Sequence, residues 1–186
     1  MNEKTVQAVV MQHAMEEKNH EIVLPNVTAI YHWEADLLSF TRAGIVHEYE
    51  VKVSRADYLA DKTKELKHGT LRSVWQQPNK RPPTPAKQQP LLGYPARFSS
   101  RTPNYFWYVT WGFEIDELPP YAGWMSVEPS PRGKTKYIVS VRHNAPLIHT
   151  NKLLDGKEAA ISRLLSYKLK NMYELCYLAA AQGAKE

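Results

Sequence analysis

The chain has 186 residues, of which 43% are hydrophobic and 23% charged, so its composition is that of a globular protein with one compact domain. No apolar run approaches the roughly 20 residues that a membrane-spanning helix needs, and the N-terminus lacks the pattern of a signal peptide, so we expect a cytoplasmic protein. A single cysteine excludes an internal disulfide and a thiolate zinc site, and the net charge of +5 permits nucleic-acid binding.

The N-terminal part of the chain is predicted to form a helix followed by strands. Val6, Val9, Val10 and Ala14 recur at helical spacing, which predicts a helix over residues 5–18. Runs of β-branched and aromatic residues bounded by turn residues then predict three strands, at 21–24, 27–40 and 45–53. Pro25-Asn26 would end the first strand, and a turn at 42–44 would join the other two in an antiparallel hairpin.

A second helix is expected directly after this hairpin. Ser54 is a candidate N-cap, and Asp57 lies at the matching acidic position of the first turn. We predict that the helix reaches about Lys67 and that Gly69 ends it. The side chains expected to face the core are Tyr58, Leu59 and Leu66.

Residues 76–104 form a basic, proline-rich excursion. Seven of the 13 prolines lie there, which rules out a long helix or a central strand. No Asp or Glu occurs between Leu66 and Phe113, so this part of the chain is strongly cationic.

Further strands are predicted at 105–111, 121–128 and 137–142, and an amphipathic helix that buries Cys176 at 156–181. The order of elements predicts one α/β domain over residues 1–186, with a mixed central sheet flanked by helices and a core at about 5–142.

The hairpin contains the residues that suggest chemistry. Because side chains two apart share one face of a strand, Glu48, Glu50 and Lys52 lie together, and Glu34 and Asp36 share a face of the preceding strand. Carboxylates converging in an apolar strand repel each other, and a hard cation such as Mg²⁺ would offset this repulsion. A metal ion with a nearby ammonium suits phosphodiester hydrolysis. From the spacing alone, a solvated surface hairpin remains open.

Residues 34–38 and 48–61 resemble the core of the PD-(D/E)XK nucleases, closest to the branch of MmcB-like DNA repair proteins and related phage nucleases. Residues 104–110 and 120–127 resemble the following core strands. The resemblance implies a restriction-endonuclease-like fold and a Mg²⁺- or Mn²⁺-dependent deoxyribonuclease. It would act on DNA in repair, recombination or phage DNA processing, in the host cytoplasm if the chain is phage-encoded.

Roles for individual residues follow from the same resemblance. Asp36 and Glu50 match the metal-binding carboxylates, Lys52 matches the catalytic lysine, and the backbone carbonyl of Val51 would be a further ligand. Ala35 stands where the family has proline. A glutamate on the first helix stays open among Glu16, Glu17 and Glu21, with Glu17 preferred, and Glu34 is another candidate ligand.

Several basic residues are predicted to contact DNA, with a solvated helix face as the alternative; they are Arg55, Lys62, Lys64, Lys67, Arg72, Lys80, Arg81 and Lys87. Asp57 and Asp61 are expected at the surface, His47 and His68 are given no role, and Trp75 and Phe98 are candidates for base stacking. A catalytically silent DNA-binding accessory protein and a protein-interaction module are the alternative functions, and a homodimer is left open.

Overall fold

A computed structural model describes the following residues: 1–28, 30–77, 102–131, 136–152, 161–162, 165, 168–170 and 172. The chain divides into two units, Met1–Leu153 and Leu154–Glu186, and the described residues of the second unit are helical. Within the described ranges no helix is both long and apolar enough to cross a bilayer. Most of the predicted proline-rich excursion and C-terminal helix lies outside these ranges, including Lys80, Arg81, Lys87, Phe98 and Cys176.

The first unit is an α/β arrangement around a six-stranded mixed sheet. The strands follow chain order across the sheet; the β3–β4 and β4–β5 pairs are parallel and the other pairs are antiparallel. The elements are α1 Glu3–Gln12, a π-helical turn His13–Glu17, β1 Ile22–Val27, β2 Ala35–Phe40, β3 Val46–Lys52, α2 Arg55–Lys62, α3 Glu65–Gln76, β4 Tyr105–Trp111, β5 Ala122–Pro129 and β6 Tyr137–His143. The mixed sheet and the β2–β3 hairpin confirm the expected α/β class.

The first two strands differ from the prediction at their boundaries. β1 does not end at Pro25 but continues through it, and Pro25 lies opposite Leu37. A proline is tolerated there because β1 is an edge strand. β2 begins only at Ala35, since Tyr31 and Trp33 stack on each other outside the sheet, and the Trp33 indole N–H donates to Glu48. The aromatic residues that suggested a longer strand therefore form a cover over Glu48.

The predicted second helix is two helices. Ser54 caps α2 as expected, accepting a hydrogen bond from the Asp57 N–H. α2 ends at Lys62, where the Thr63 hydroxyl donates to the Ala60 carbonyl. The predictions for two leucines were also wrong, because Leu59 and Leu66 are 53% and 62% exposed.

Gly69 lies inside α3 and does not end the helix. A methyl group added to Gly69 would meet the end of the Glu65 side chain, which can move away, so we expect Gly69→Ala to stabilise the protein by about 0.5–1 kcal/mol. Urea unfolding of the two proteins measures this difference. A loss of stability on substitution would contradict the helical placement of Gly69.

The two faces of β3 contact different helices. Tyr49 and Val51 belong to an apolar cluster with Val6 and Val10 of α1. Because side chains alternate along a strand, Glu48, Glu50 and Lys52 project from the opposite face, where side chains of α2 and α3 meet them. The sheet thus separates an apolar layer on one side from a charged site on the other.

Candidate active site

Asp36 and Glu50 face each other across the β2–β3 hairpin. Leu37 lies opposite Tyr49, and continuing this register by one residue places Asp36 opposite Glu50. Asp36 Oδ2 accepts a hydrogen bond of 2.8 Å from the Val51 N–H. The N–H and C=O of a strand residue point to the same side, so the Val51 carbonyl is also directed toward β2. The structure therefore brings together the three groups that the sequence suggested as metal ligands.

Lys52 is held among carboxylates. Its Nζ lies 2.9 Å from Glu50 Oε1, 3.6 Å from Asp57 Oδ2 and 3.7 Å from Asp61 Oδ1. Burial alone would lower the pKa of Lys52, but the nearby charges of Glu50 and Asp61 outweigh burial and raise this pKa above its ordinary value. Lys52 is therefore a permanently charged ammonium at neutral pH.

Lys67 lies in the interior of the site. Its side chain is 2% exposed, and its Nζ lies 2.6 Å from Glu50 Oε2, 3.6 Å from Asp61 Oδ1 and 3.9 Å from Glu48 Oε1. Because its side chain is buried, the structure gives no support to Lys67 as a DNA contact. Glu48 is fully buried, and burial raises its pKa to about 8 despite the attraction of Lys67.

Asp61 connects the parts of this charged network. Its side chain is buried rather than at the surface, and it accepts a hydrogen bond of 3.0 Å from the Tyr108 hydroxyl and ion-pairs at 2.8 Å with Lys64. Burial favours a higher pKa for Asp61, but the His68 hydrogen bond and the charge of Lys67 hold this pKa below its usual range. A signal for its burial existed in the sequence, since Asp61 is three residues from the inward-facing Tyr58 and shares its helix face.

His68 lies behind Asp61, away from solvent. One ring nitrogen, Nε2, is 2.9 Å from Asp61 Oδ2, and the other, Nδ1, is 3.0 Å from the Tyr121 hydroxyl. With 2% of the residue exposed, His68 cannot reach a substrate, and its contacts orient Asp61. No motif in the sequence indicated this role.

Glu34 and Glu17, the preferred one of the three N-terminal glutamates, lie elsewhere. Glu34 is exposed, and Glu17 ion-pairs with His13 at 2.9 Å. Glu17 follows α1, which packs on the sheet face opposite to Glu50. In the described part of the chain no contact joins either glutamate to Asp36, so the structure does not support them as ligands.

Four predicted DNA contacts remain accessible on α2, α3 and the link between them. Arg55 ion-pairs with Asp116, Lys62 with Glu117 and Lys64 with Asp61, and Arg72 is exposed. By contrast, Trp75 packs against an apolar cluster that contains Tyr58 and Tyr108, which leaves it less available for stacking on a base.

Asp36, Glu50 and the Val51 carbonyl are the groups that would hold a divalent cation at this site. Among the described residues, no group of three or more His, Cys, Asp or Glu side chains is placed to hold a metal ion. Two carboxylates with the Val51 carbonyl form a smaller set of three oxygen donors, which Mg²⁺ accepts because it retains waters. Burial, together with the charge of Glu50, raises the pKa of Asp36 to about 7, so a cation placed there would relieve an existing repulsion.

Asp36→Asn is expected to change the pH dependence of stability in metal-free buffer. With a folded pKa of about 7 against an ordinary 3.8, Asp36 contributes stability that is present below about pH 4 and is lost as the pH rises through 7. Asparagine does not titrate and can still accept from the Val51 N–H. The variant should therefore gain on the order of 1–3 kcal/mol relative to the wild type between pH 5 and pH 8.

Urea unfolding at a series of pH values in EDTA measures this gain. Glu34→Gln is the matched control, because it removes an exposed carboxylate two residues earlier in the chain. A stability difference between Asp36→Asn and the wild type that does not change with pH would contradict the prediction.

Comparison with known proteins adds information on the fold alone. No protein-family model matches the chain, and no curated protein matches it. One solved structure is similar, a protein from Silicibacter pomeroyi described as "SPO1766 protein of unknown function", with 15% sequence identity and a TM-score of 0.55 over 91% of this chain and 88% of that one. This similarity supports the α/β arrangement of a six-stranded mixed sheet flanked by helices.

Proposed function

We propose that the protein is a Mg²⁺- or Mn²⁺-dependent deoxyribonuclease that hydrolyses phosphodiester bonds, with a restriction-endonuclease-like sheet. The main support is the opposition of Asp36 and Glu50 across the hairpin, with the Lys52 ammonium 2.9 Å from Glu50. A structural hairpin in solvent would not bury two of these three charged side chains, yet Glu50 is 2% exposed and Lys52 4%.

The three residues would divide the chemistry among them. Asp36, Glu50 and the Val51 carbonyl would hold the ion, which when bound supplies Lewis-acid stabilisation of the phosphate and a more acidic water. Lys52 keeps its proton at neutral pH because its carboxylate neighbours raise its pKa, so it serves as a fixed positive charge and not as a general base. Its charge would offset the negative charge that develops on the phosphate oxygens.

DNA is the proposed substrate because exposed basic side chains lie close to the site in sequence and space. Lys64 contacts Asp61, which in turn lies 3.7 Å from Lys52, and Arg55 and Lys62 are on α2, the helix that begins three residues after Lys52. Such cations would bind phosphates without reading sequence. Cleavage directed by DNA structure or ends, in the cytoplasm during repair, recombination or phage DNA processing, is the corresponding role.

The test is cleavage of supercoiled, linear, single-stranded and branched DNA by the purified protein with Mn²⁺. We expect at least one of these substrates to be cut, cutting to stop in EDTA, and Asp36→Asn to be inactive while remaining folded. Lack of cleavage of all four substrates, or cleavage that survives EDTA, would show that the proposal is wrong.

A second candidate is a catalytically silent DNA-binding accessory protein of the same fold. It is favoured by the fact that both carboxylate oxygens of Glu50 are already engaged by lysines, Oε1 by Lys52 and Oε2 by Lys67. Tight DNA binding that does not depend on metal and is unchanged in Asp36→Asn, without any cutting, would support this alternative. Gel-shift assays with and without Mn²⁺ distinguish the two functions.

A further inference from the structure

The ammonium of Lys67 lies where three buried carboxylates converge. Its Nζ is 2.6 Å from Glu50 Oε2, 3.6 Å from Asp61 Oδ1 and 3.9 Å from Glu48 Oε1. All three acidic residues are at most 2% exposed. Within the described chain, Glu48 Oε2 is also buried without a hydrogen-bond partner. The inner side of the site is therefore lined by three acidic side chains, and its centre is occupied by a cation of the protein itself.

Glu50 divides its two oxygens between an outer and an inner cation position. Oε1 lies 2.9 Å from Lys52, which is on the same strand as Glu50, and Oε2 lies 2.6 Å from Lys67 of α3. In nucleases with two ions, the metals lie roughly 3.5–4 Å apart. A second ion beside Glu50 Oε2 would need the volume that the Lys67 ammonium fills.

We propose that Lys67 serves as a built-in cation at the inner position, so that the protein binds one divalent ion at Asp36, Glu50 and the Val51 carbonyl, and not a pair of ions. The inference rests on the proposed function for the identity of the outer position. The inner position is defined independently by the contacts of Lys67 with Glu48, Glu50 and Asp61.

Removal of the ammonium should turn the inner position into a metal site. In Lys67→Ala, the three carboxyl groups would remain around an open volume, and Lys52 and Lys64 would be the ammonium groups left beside Glu50 and Asp61. Buried carboxylates in that state favour a cation strongly, and oxygen donors suit Mg²⁺ and Mn²⁺. Lys67→Arg keeps a positive charge at the same place, so no metal ion should bind at the inner position in this variant.

The experiment counts Mn²⁺ ions bound per chain, by electron paramagnetic resonance of the free ion and by calorimetry, on the full-length protein after EDTA treatment. We expect one ion for the wild type, none for Asp36→Asn, two for Lys67→Ala and one for Lys67→Arg. Arg42→Ala, in the exposed turn of the hairpin, is the control and should bind one ion. Circular dichroism verifies that each variant is folded.

The outcomes separate this inference from the proposed function. Two ions in the wild type, or a single ion in folded Lys67→Ala, would overturn the inference and leave a metal-dependent nuclease intact. No ion in the wild type would overturn both. If Lys67→Ala does not fold, anomalous diffraction from Mn²⁺-soaked wild-type crystals decides: one peak beside Asp36 supports the inference, and a second peak among Glu48, Glu50 and Asp61 rejects it.

Discussion

Lys52→Ala should lower the rate of Mn²⁺-dependent DNA cleavage by about 10²–10³-fold, the usual loss when one preorganised charge at a reacting phosphate or carbonyl is removed. The Lys52 ammonium lies 2.9 Å from Glu50 Oε1, on the outer side of the site. Because this charge would act mainly on the transition state, kcat should fall while KM for DNA changes little. Single-turnover and steady-state cleavage of the best DNA substrate measure both quantities.

The control for this substitution is Lys4→Ala, which removes an exposed lysine of α1 on the opposite side of the sheet. It lowers the net charge by the same amount and should leave cleavage unchanged. Equal cleavage by folded Lys52→Ala and the wild type would remove Lys52 from the mechanism. A rise in KM with unchanged kcat would instead assign it to DNA binding.

Asp61→Asn should destabilise the protein by about 3 kcal/mol or more, because removing one partner of a buried charge network leaves the other charges uncompensated. Asp61 is within 3.7 Å of three ammonium groups, those of Lys52, Lys64 and Lys67, and its side chain has no exposed surface. The pKa of Asp61 is lowered in the folded state, so its contribution is present above about pH 4 and fades only in stronger acid. Urea unfolding at neutral pH measures the loss.

Asp57→Asn provides the comparison, since Asp57 is on the same helix and 3.6 Å from Lys52 but is 47% exposed. A loss below about 1 kcal/mol is expected for such a partly solvated pair. Similar losses of stability for Asp61→Asn and Asp57→Asn would mean that burial does not explain the contribution of Asp61 to stability. Asp61→Asn should also reduce cleavage through the displacement of Lys52, and this effect should disappear in a Lys52→Ala background.

The β2–β3 hairpin, and the placement of Asp36, Glu50 and Lys52 on one of its faces, could be predicted because both depend on short-range patterns, whereas the roles of these residues stay predictions. Alternation along β3 places Glu50 and Lys52 on one face whatever packs there, and the turn at 42–44 brings β2 alongside. The start of helix α2 could also be predicted from the sequence, because Ser54 caps the helix by accepting a hydrogen bond from the N–H of Asp57, three residues later.

The inner half of the site could not be predicted because it depends on where a second helix packs. Lys67 and His68 are on α3. They contact Glu50 and Asp61 only because α2 ends before Thr63 and α3 then packs on the same face of the sheet. A lysine in a cationic segment resembles a DNA contact in sequence, and only tertiary contacts show that it is buried. Whether the fold is restriction-endonuclease-like remains a prediction.

Pro25 also bears on the solubility of the folded protein. β1 is an outer strand of the sheet, and unpaired backbone groups along such a strand can template association with another chain. Pro25 offers no N–H, and its neighbour Asn26 has a positive φ of 49° that bends the strand out of an ideal pleat. Both features make this edge a poor template for intermolecular strand addition and lower the tendency of the protein to aggregate from that side.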